Sequence, residues 1–551
     1  MDIFTIKNLT FTYAGSGVPV LKDLSFSVKE GEFVMLCGLN GSGKTTLLQL
    51  IVPAARPLGK IQGEVLYEGS PIEDLPYERQ VTEIGYVGQD AELQFVTDTV
   101  WQEIAFGLEN LGLTTGEIRR RVAEMVTFFG LEGEMGKRTE ELSAGEKQAV
   151  NLAAVLAVRP KILLLDEPTS NLDPIAAERF LYLVQKINRE LGTAILICEQ
   201  NIDRVIPISN KVIVLEKGNL LFAGKAEETA RYLLQEKKLL ALALPLPTRL
   251  AFKLKQVDLP FTIQEGRRSF LICEGDISRK DEKREKKETQ VNGKGNIAIQ
   301  LSNVWFRYDK KGEDVLRDAT LSLNEGEIYG ILGANGVGKT TLLNVMAGVA
   351  LPYSGKVQLL GKPIAKYTET ELFGGLVGIL PQNVKFMFAE DTLEKDLQAV
   401  ATEEKKVIEI SKNFGIGGLL QRNPLDLSGG ELKRAALAKI MLKAPRMLFL
   451  DEPTSGLDVA AKRELGSILL RLKQEGHTIV LVSHDVEFAA DITTKCTLLF
   501  NGEIMGEEST KEFFLSNMFY TTQTRRLTLG KWEGLVTAEE VLKLCGKSIE
   551  E

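Results

Sequence analysis

The sequence predicts an α/β fold present twice in one chain, and three observations carry that reading. Short, wholly apolar runs alternate with helical patterns. A glycine-rich loop follows one such run and leads into a helix. Both features recur in the second half. Apolar runs joined by helical crossovers indicate a parallel sheet buried on both faces.

In the first half the run Phe33–Cys37 enters the glycine-rich loop. The helix Thr45–Val52 follows and is stopped by Pro53, which cannot continue a helical hydrogen-bond ladder. Ile162–Leu165 and Ala194–Cys198 are the next buried strands. The second half repeats the series with Ile328–Leu332, Met447–Leu450 and Thr478–Val482. Each half opens with short alternating or apolar strands.

Composition narrows the function classes. The 551 residues are 44% hydrophobic and 26% charged, with 18 Pro and 50 Gly, which excludes a disordered or fibrous chain. A net charge of -8 gives no overall basic field for a phosphate backbone, so no nucleic-acid partner is expected. The five cysteines (Cys37, Cys198, Cys273, Cys496 and Cys545) form no Cys-x-x-Cys pair. A reducing cytosol is expected, without a disulfide framework or zinc ribbon. The first residues carry no signal-peptide pattern, and no stretch reaches the roughly 20 apolar residues of a membrane helix. The most apolar run, Leu239 to Leu246, is interrupted by Pro245. Any membrane role is therefore expected to come through a partner.

The repeat is explicit. Gly38-Leu-Asn-Gly-Ser-Gly-Lys-Thr45 returns 295 residues later as Gly333-Ala-Asn-Gly-Val-Gly-Lys-Thr340. Leu163-Leu-Leu-Asp-Glu-Pro-Thr-Ser170 returns 285 residues later as Leu448-Phe-Leu-Asp-Glu-Pro-Thr-Ser455. Two homologous domains, 1–225 and 296–510, follow, with an extension and linker over 226–295 and a C-terminal extension over 511–551. The stretch 279–288 is charged throughout and reads as a solvated tether.

The repeated loop has the residues that phosphate binding needs. Its glycines let backbone N–H groups curl around a phosphate, and the following helix adds its positive end. Lys44 and Lys339 bring a point charge to the β- and γ-phosphates, and the hydroxyls of Thr45 and Thr340 suit Mg²⁺. The candidate ATP-binding set is Gly38, Asn40, Gly41, Gly43, Lys44, Thr45 and Thr46, with Gly333, Asn335, Gly336, Gly338, Lys339, Thr340 and Thr341 in the second half. Asp166 and Asp451, at the ends of buried strands, are candidate Mg²⁺ groups. Glu167 and Glu452 beside them can deprotonate an attacking water.

Leu142-Ser-Ala-Gly-Glu146 and Leu427-Ser-Gly-Gly-Glu431 each precede a long helical pattern. Ser and Glu three apart suit a capping box, and the small residues between them leave N–H groups open to an anion. With the loops and the Asp-Glu pairs, this pattern resembles the signature motif of ATP-binding-cassette ATPases, and both halves resemble that family throughout. The resemblance implies two P-loop (RecA-like) cassette domains, each with an inserted helical subdomain and N-terminal antiparallel strands. It further implies head-to-tail pairing of the two cassettes within one chain. Each ATP would then lie between the P-loop of one cassette and the signature of the other, Ser143 and Gly145 or Ser428 and Gly430.

Further positions follow from the resemblance. Tyr13 and Tyr308, each 25 residues before the first loop glycine, resemble the aromatic that stacks on adenine. Gln89 and Gln382 resemble the glutamine that senses the metal and links the core to the helical subdomain. Asp173 and Asp458 resemble the D-loop aspartate; Asp173, followed by Pro174, also suits a helix N-cap. The halves part at one place. Val482-Ser-His484-Asp485 carries the family's switch histidine, whereas Cys198-Glu-Gln200-Asn201 has Gln. Glutamine can bond a phosphate but gains no charge near neutral pH. The site with Lys339, Asp451, Glu452 and His484 is accordingly expected to hydrolyse faster than the one with Lys44, Asp166, Glu167 and Gln200. The signature departs too, with Ala144 where the second copy has Gly429.

A finer likeness points to the energy-coupling-factor group of importers. Leu93 to Gly112, after Gln89, resembles that group's stretch into the helical subdomain, and Phe513 to Thr522 resembles its tandem fused members. The shorter stretch after Gln382 fits less well. The resemblance implies a peripheral ATPase on the cytoplasmic face of the membrane. A transmembrane coupling subunit and a small substrate-binding membrane subunit would partner it, and the cargo would be a vitamin, a vitamin precursor, or cobalt or nickel. Two alternatives stand beside this: the ATPase of an importer with a soluble binding protein, and a soluble ABC-F-type ribosome-associated ATPase. For the latter, the D-loops Ser170-Asn-Leu-Asp173 and Ser455-Gly-Leu-Asp458 and the prolines 245, 247 and 260 in the linker are poor matches.

Overall fold

A computed structural model of the chain describes residues 1–269, 296–401 and 403–545. The charged stretch 279–288 and Cys273 lie outside the described residues. The chain forms two compact units, Met1–Phe252 and Lys253–Glu551. Each contains one copy of the repeat.

In the first unit an antiparallel sheet begins with β1 (Asp2–Tyr13) and β2 (Leu21–Lys29). β3 is Phe33–Cys37, β4 Gly59–Tyr67 and β5 Ser70–Pro71. Along β1 and β2 inward apolar residues alternate with outward polar ones, as one buried face requires. The order in this sheet is β2-β1-β4-β5. A second sheet contains β3 with β6 (Ile84–Val87), β7 (Ile162–Asp166), β8 (Ala194–Cys198), β9 (Lys211–Glu216) and β10 (Asn219–Gly224). Its order is β10-β9-β3-β8-β7-β6, parallel except for the β9–β10 hairpin. Every residue of β3, β7 and β8 is buried, as their unbroken apolar runs predict. β7 runs one residue beyond the apolar run, because Asp166 pairs in register with Cys198.

The second unit repeats the plan. β11 (Ile297–Phe306), β12 (Leu316–Asn324), β14 (Ser354–Leu359) and β15 (Lys362–Pro363) make the antiparallel sheet, ordered β12-β11-β14-β15. β13 (Ile328–Leu332), β16 (Val377–Leu380), β17 (Met447–Asp451), β18 (Thr478–Ser483), β19 (Lys495–Phe500) and β20 (Glu503–Ser509) make the other. That order, β16-β17-β18-β13-β19-β20, is the first unit's written from the opposite edge.

Between β6 and β7 the first unit inserts three mutually packed helices, Val100–Asn110, Thr115–Phe129 and Ala144–Ala157. The second unit's counterparts, Leu393–Gln398, Glu404–Asn413 and Gly429–Met441, are shorter. Residues beyond β10 fold back as helices Ala226–Gln235 and Leu246–Lys253, the first of which packs on β9 and β10. Beyond β20, helix Thr510–Ser516 buries Phe513 and Phe514 against Leu332, Ala489 and Cys496. Among the described residues no helix is long and apolar enough to cross a membrane.

Candidate active site

In both units the glycine-rich loop wraps its own lysine. Lys44, buried at the start of helix Lys44–Ile51, donates to the carbonyls of Gly38 (3.0 Å) and Leu39 (3.4 Å). Lys339, at the start of helix Lys339–Ala347, donates to Gly333 (3.0 Å) and Ala334 (2.9 Å). Two glycines are required by close approach. A Cβ on Gly38 would lie 2.4 Å from the Leu215 carbonyl, and one on Gly43, at φ 97°, would lie 2.5 Å from Leu21 Cδ2. Asn40 and Gly41, and Asn335 and Gly336, form the outer part of each loop; the outer glycines have no atom within 4 Å of an added Cβ. Neither helix start has a side-chain cap, so the first N–H groups face the concavity and suit an anion.

The strand-end carboxylates meet the threonines. Thr45 Oγ1 donates to Asp166 Oδ1 at 3.2 Å, and Thr340 Oγ1 to Asp451 Oδ2 at 2.8 Å. The remaining oxygens, Asp166 Oδ2 and Asp451 Oδ1, are buried with no hydrogen-bond partner among the described residues. Burial pushes the Asp166 carboxyl up to about 6 and raises Asp451 as well. An unpartnered buried carboxylate oxygen beside a threonine hydroxyl is a hard-oxygen donor set, and it fits Mg²⁺.

Glu167 and Glu452 both have left-handed backbone, φ 46° and 45°. Each reaches its loop lysine, with Lys44–Glu167 and Lys339–Glu452 both at 3.7 Å. Around them the units diverge. Glu167 Oε2 accepts from Gln89 Nε2 at 3.3 Å and from Gln200 Nε2 at 2.6 Å. Glu452 Oε2 lies 2.8 Å from His484 Nδ1 and accepts the His484 backbone N–H at 3.3 Å. Gln382 is exposed, and no hydrogen bond joins it to Glu452. Gln89, Gln200 and His484 thus lie against their unit's glutamate, and Gln382 does not.

The tyrosines match between units. Tyr13 and Thr46 share a hydroxyl hydrogen bond of 2.8 Å, and Tyr308 and Thr341 one of 2.9 Å. The signature serines cap their helices. Ser143 with Glu146 and Ser428 with Glu431 form complete capping boxes. Gly145 and Gly430 let these helices pass close to the next one, since an added Cβ would lie 3.2 Å from Ala176 and 2.9 Å from Ala461. Asp173 and Asp458 cap those next helices, Pro174–Leu191 and Val459–Gln474.

Three features around the site escaped the motif reading. Gln94 Oε1 accepts from Gly88 N (2.6 Å) and Asn151 Nδ2 (2.7 Å), pinning the loop after Gln89 to the signature helix. Glu199 is buried beside Gln200 and accepts from Thr169 N (2.9 Å) and Thr169 Oγ1 (2.7 Å). Lys433 is buried on the second signature helix and bonds the turn after Asp451. Laying one repeat over the other marks two of these, since Glu199 stands where the second copy has Ser483, and Lys433 where the first has Gln148.

Comparison with known proteins agrees with this geometry. The "ABC transporter" family model matches residues 21–170 and 316–455. A putative ABC transporter ATP-binding protein of Bacillus anthracis is 38% identical over 548 residues, spanning 98% of each chain. The putative HMP/thiamine import ATP-binding protein YkoD of Bacillus subtilis is 31% identical over 550 residues, spanning 98% of this chain and 97% of its own. Among solved structures, the archaeal ribosome recycling factor aABCE1 aligns with a TM-score of 0.57 over 92% of this chain and 90% of its own. Its 21% identity speaks for a shared fold alone.

Proposed function

The chain belongs to the ABC transporter family as an ATP-binding protein and ATPase, and on that premise we propose that it powers a nutrient importer of the energy-coupling-factor kind. The observation that carries this reading is the full-length likeness, 31% over 98% of the chain, to a protein named for HMP/thiamine import. The cargo on this reading is a vitamin or vitamin precursor of that chemical class. It crosses the membrane through a separate coupling subunit and a small substrate-binding subunit, while the ATPase sits on the cytoplasmic face. Large apolar side chains near the glutamine loops support a partner there: Leu93 is 85% and Phe386 86% exposed.

The roles are those the family resemblance implies, and several of the distances above support them. Lys44 and Lys339 turn from their loop carbonyls to the phosphates when ATP is bound. Asp166 with Thr45, and Asp451 with Thr340, would hold Mg²⁺, which when bound would neutralise phosphate charge. Gln89, bonded to Glu167, would sense the metal in the first unit, and Gln382 is the matching residue of the second. Glu167 and Glu452 take the proton of the attacking water. Gln200 and His484, each on the glutamate's second oxygen, fix its direction and donate toward the γ-phosphate. Tyr13 and Tyr308 stack the base, and the signature residues Ser143, Gly145, Ser428 and Gly430 offer their helix starts to phosphate.

The test is reconstitution. The full chain is co-purified with its membrane partners, placed in liposomes and offered labelled thiamine or its pyrimidine precursor. ATP-dependent uptake that Glu452→Gln abolishes supports the reading. Uptake that requires an added soluble binding protein, or co-purification with ribosomes in place of membrane subunits, overturns it.

A further inference from the structure

Lys433 lies one turn inside the signature helix Gly429–Met441, and its ammonium is buried. It donates to three main-chain carbonyls: Glu452 at 3.2 Å, Pro453 at 2.9 Å and Ser455 at 2.6 Å. Three protons meeting three acceptors use the full donor capacity of an ammonium, and such charge-assisted bonds are stronger than neutral ones. The turn they hold starts at Glu452, in left-handed backbone, and runs to Asp458, the cap of the next helix.

The first unit holds the same turn differently. Gln148 occupies the matching position and is equally buried, and its Nε2 has no hydrogen-bond partner among the described residues. Ser170 Oγ, on the matching turn, has none either. The grip comes instead from Glu199, whose carboxylate takes the Thr169 N–H and hydroxyl. One turn is fastened by a cation on its carbonyls, the other by a carboxylate on its N–H side.

We propose that Lys433 is a positioning residue that fixes the Glu452–Ser455 turn, and through it the aim of the Glu452 carboxylate at the nucleotide held by Lys339. This rests on Glu452 being the water-activating carboxylate of the reading above. The hydrogen bonds of the Lys433 ammonium all go to main-chain carbonyls, so its loss displaces the glutamate without removing any group that binds ATP.

The experiment uses the full-length chain carrying Lys433→Gln, which copies the first unit's residue, with Glu452→Gln in parallel. ATP turnover and binding of a fluorescent ATP analogue are both measured. The expected result is a kcat lower by about ten- to a hundredfold, with KM and analogue affinity within about twofold of the parent. An unchanged kcat, or a loss of kcat matched by an equal loss of affinity, overturns the proposal. Should Lys433→Gln fail to fold, Lys433→Met keeps the stem without the charge and is judged by the same split. Failure of both to fold assigns the lysine to stability and ends the proposal. If Glu452→Gln leaves turnover intact, the assignment of Glu452 falls and takes this one with it. If Glu452→Gln abolishes turnover while Lys433→Gln does not touch it, the lysine proposal alone falls.

Discussion

Both units bring an arginine against a left-handed glycine at the end of their middle inserted helix, but from different directions. In the first unit Arg179, on the helix after the D-loop, donates to the Phe129 carbonyl and lies 3.1 Å from where a Gly130 Cβ would stand. In the second the guanidinium comes from Arg434 on the signature helix, at the same 3.1 Å from Gly415, and pairs with Glu464. Ala149 stands where Arg434 does, and Glu464 where Arg179 does. The cation has changed helices while its destination has stayed. The turn after the strand-end aspartate shows the same behaviour, with Glu199 in one unit and Lys433 in the other. In these two places the backbone keeps its geometry while the polar groups that enforce it are replaced, and an exchange carries chemical weight where the group faces the candidate site. By that measure Gln200 opposite His484 is the difference with a chemical consequence.

The largest expected effect tests that difference directly. Glu452→Gln is expected to lower steady-state ATP turnover by about 10²–10³-fold, whereas Glu167→Gln lowers it by less than about threefold. Equal losses, read by phosphate release, would erase the distinction between the units. Next in size, Gln200→His placed in the Glu452→Gln background should raise the residual turnover by about tenfold, because a donor able to carry charge is restored. No rise would show that the glutamine is as good a partner for Glu167 as histidine is for Glu452.

A smaller effect concerns the two fastenings. Burial pushes the Glu199 carboxyl up to about 7. The folded chain thus keeps that proton to higher pH than the unfolded one. Its burial takes stability away as the pH rises from the ordinary carboxylate range through about 7. Glu199→Gln removes this slope, so the melting temperature of the variant relative to the parent should climb between about pH 5 and pH 8. A constant difference across that range would contradict the placement of Glu199. Smallest, Ser143→Ala and Ser428→Ala should each cost about 1 kcal/mol of unfolding free energy through the lost cap. Urea melts giving equal values would confirm that the signature caps, unlike their surroundings, are equivalent.

Much of this was legible in the sequence because it depends on local order. The buried strands are continuous apolar runs, and the loop from Gly38 to Thr45 has spacing that few other structures need. The substitution at Gln200 is visible by aligning one half with the other. Lys433 was not legible, since a lysine on an amphipathic helix usually faces water, and only the approach of the Glu452 turn turns it inward. The exchange of Arg179 for Arg434 is invisible for the same reason: neither residue carries its destination in its neighbours. Gln89 and Gln382 share a letter and an exposed position, yet only Gln89 bonds its unit's glutamate, a difference that the matching letters do not carry.

The left-handed backbone of Glu167 and Glu452 has a consequence for how these units can change. An L side chain there costs about 1–2 kcal/mol that glycine would not. Glycine there would relieve that angle but remove the carboxylate facing a buried lysine 3.7 Å away in each unit, so neither unit can shed the strain without uncovering a charge.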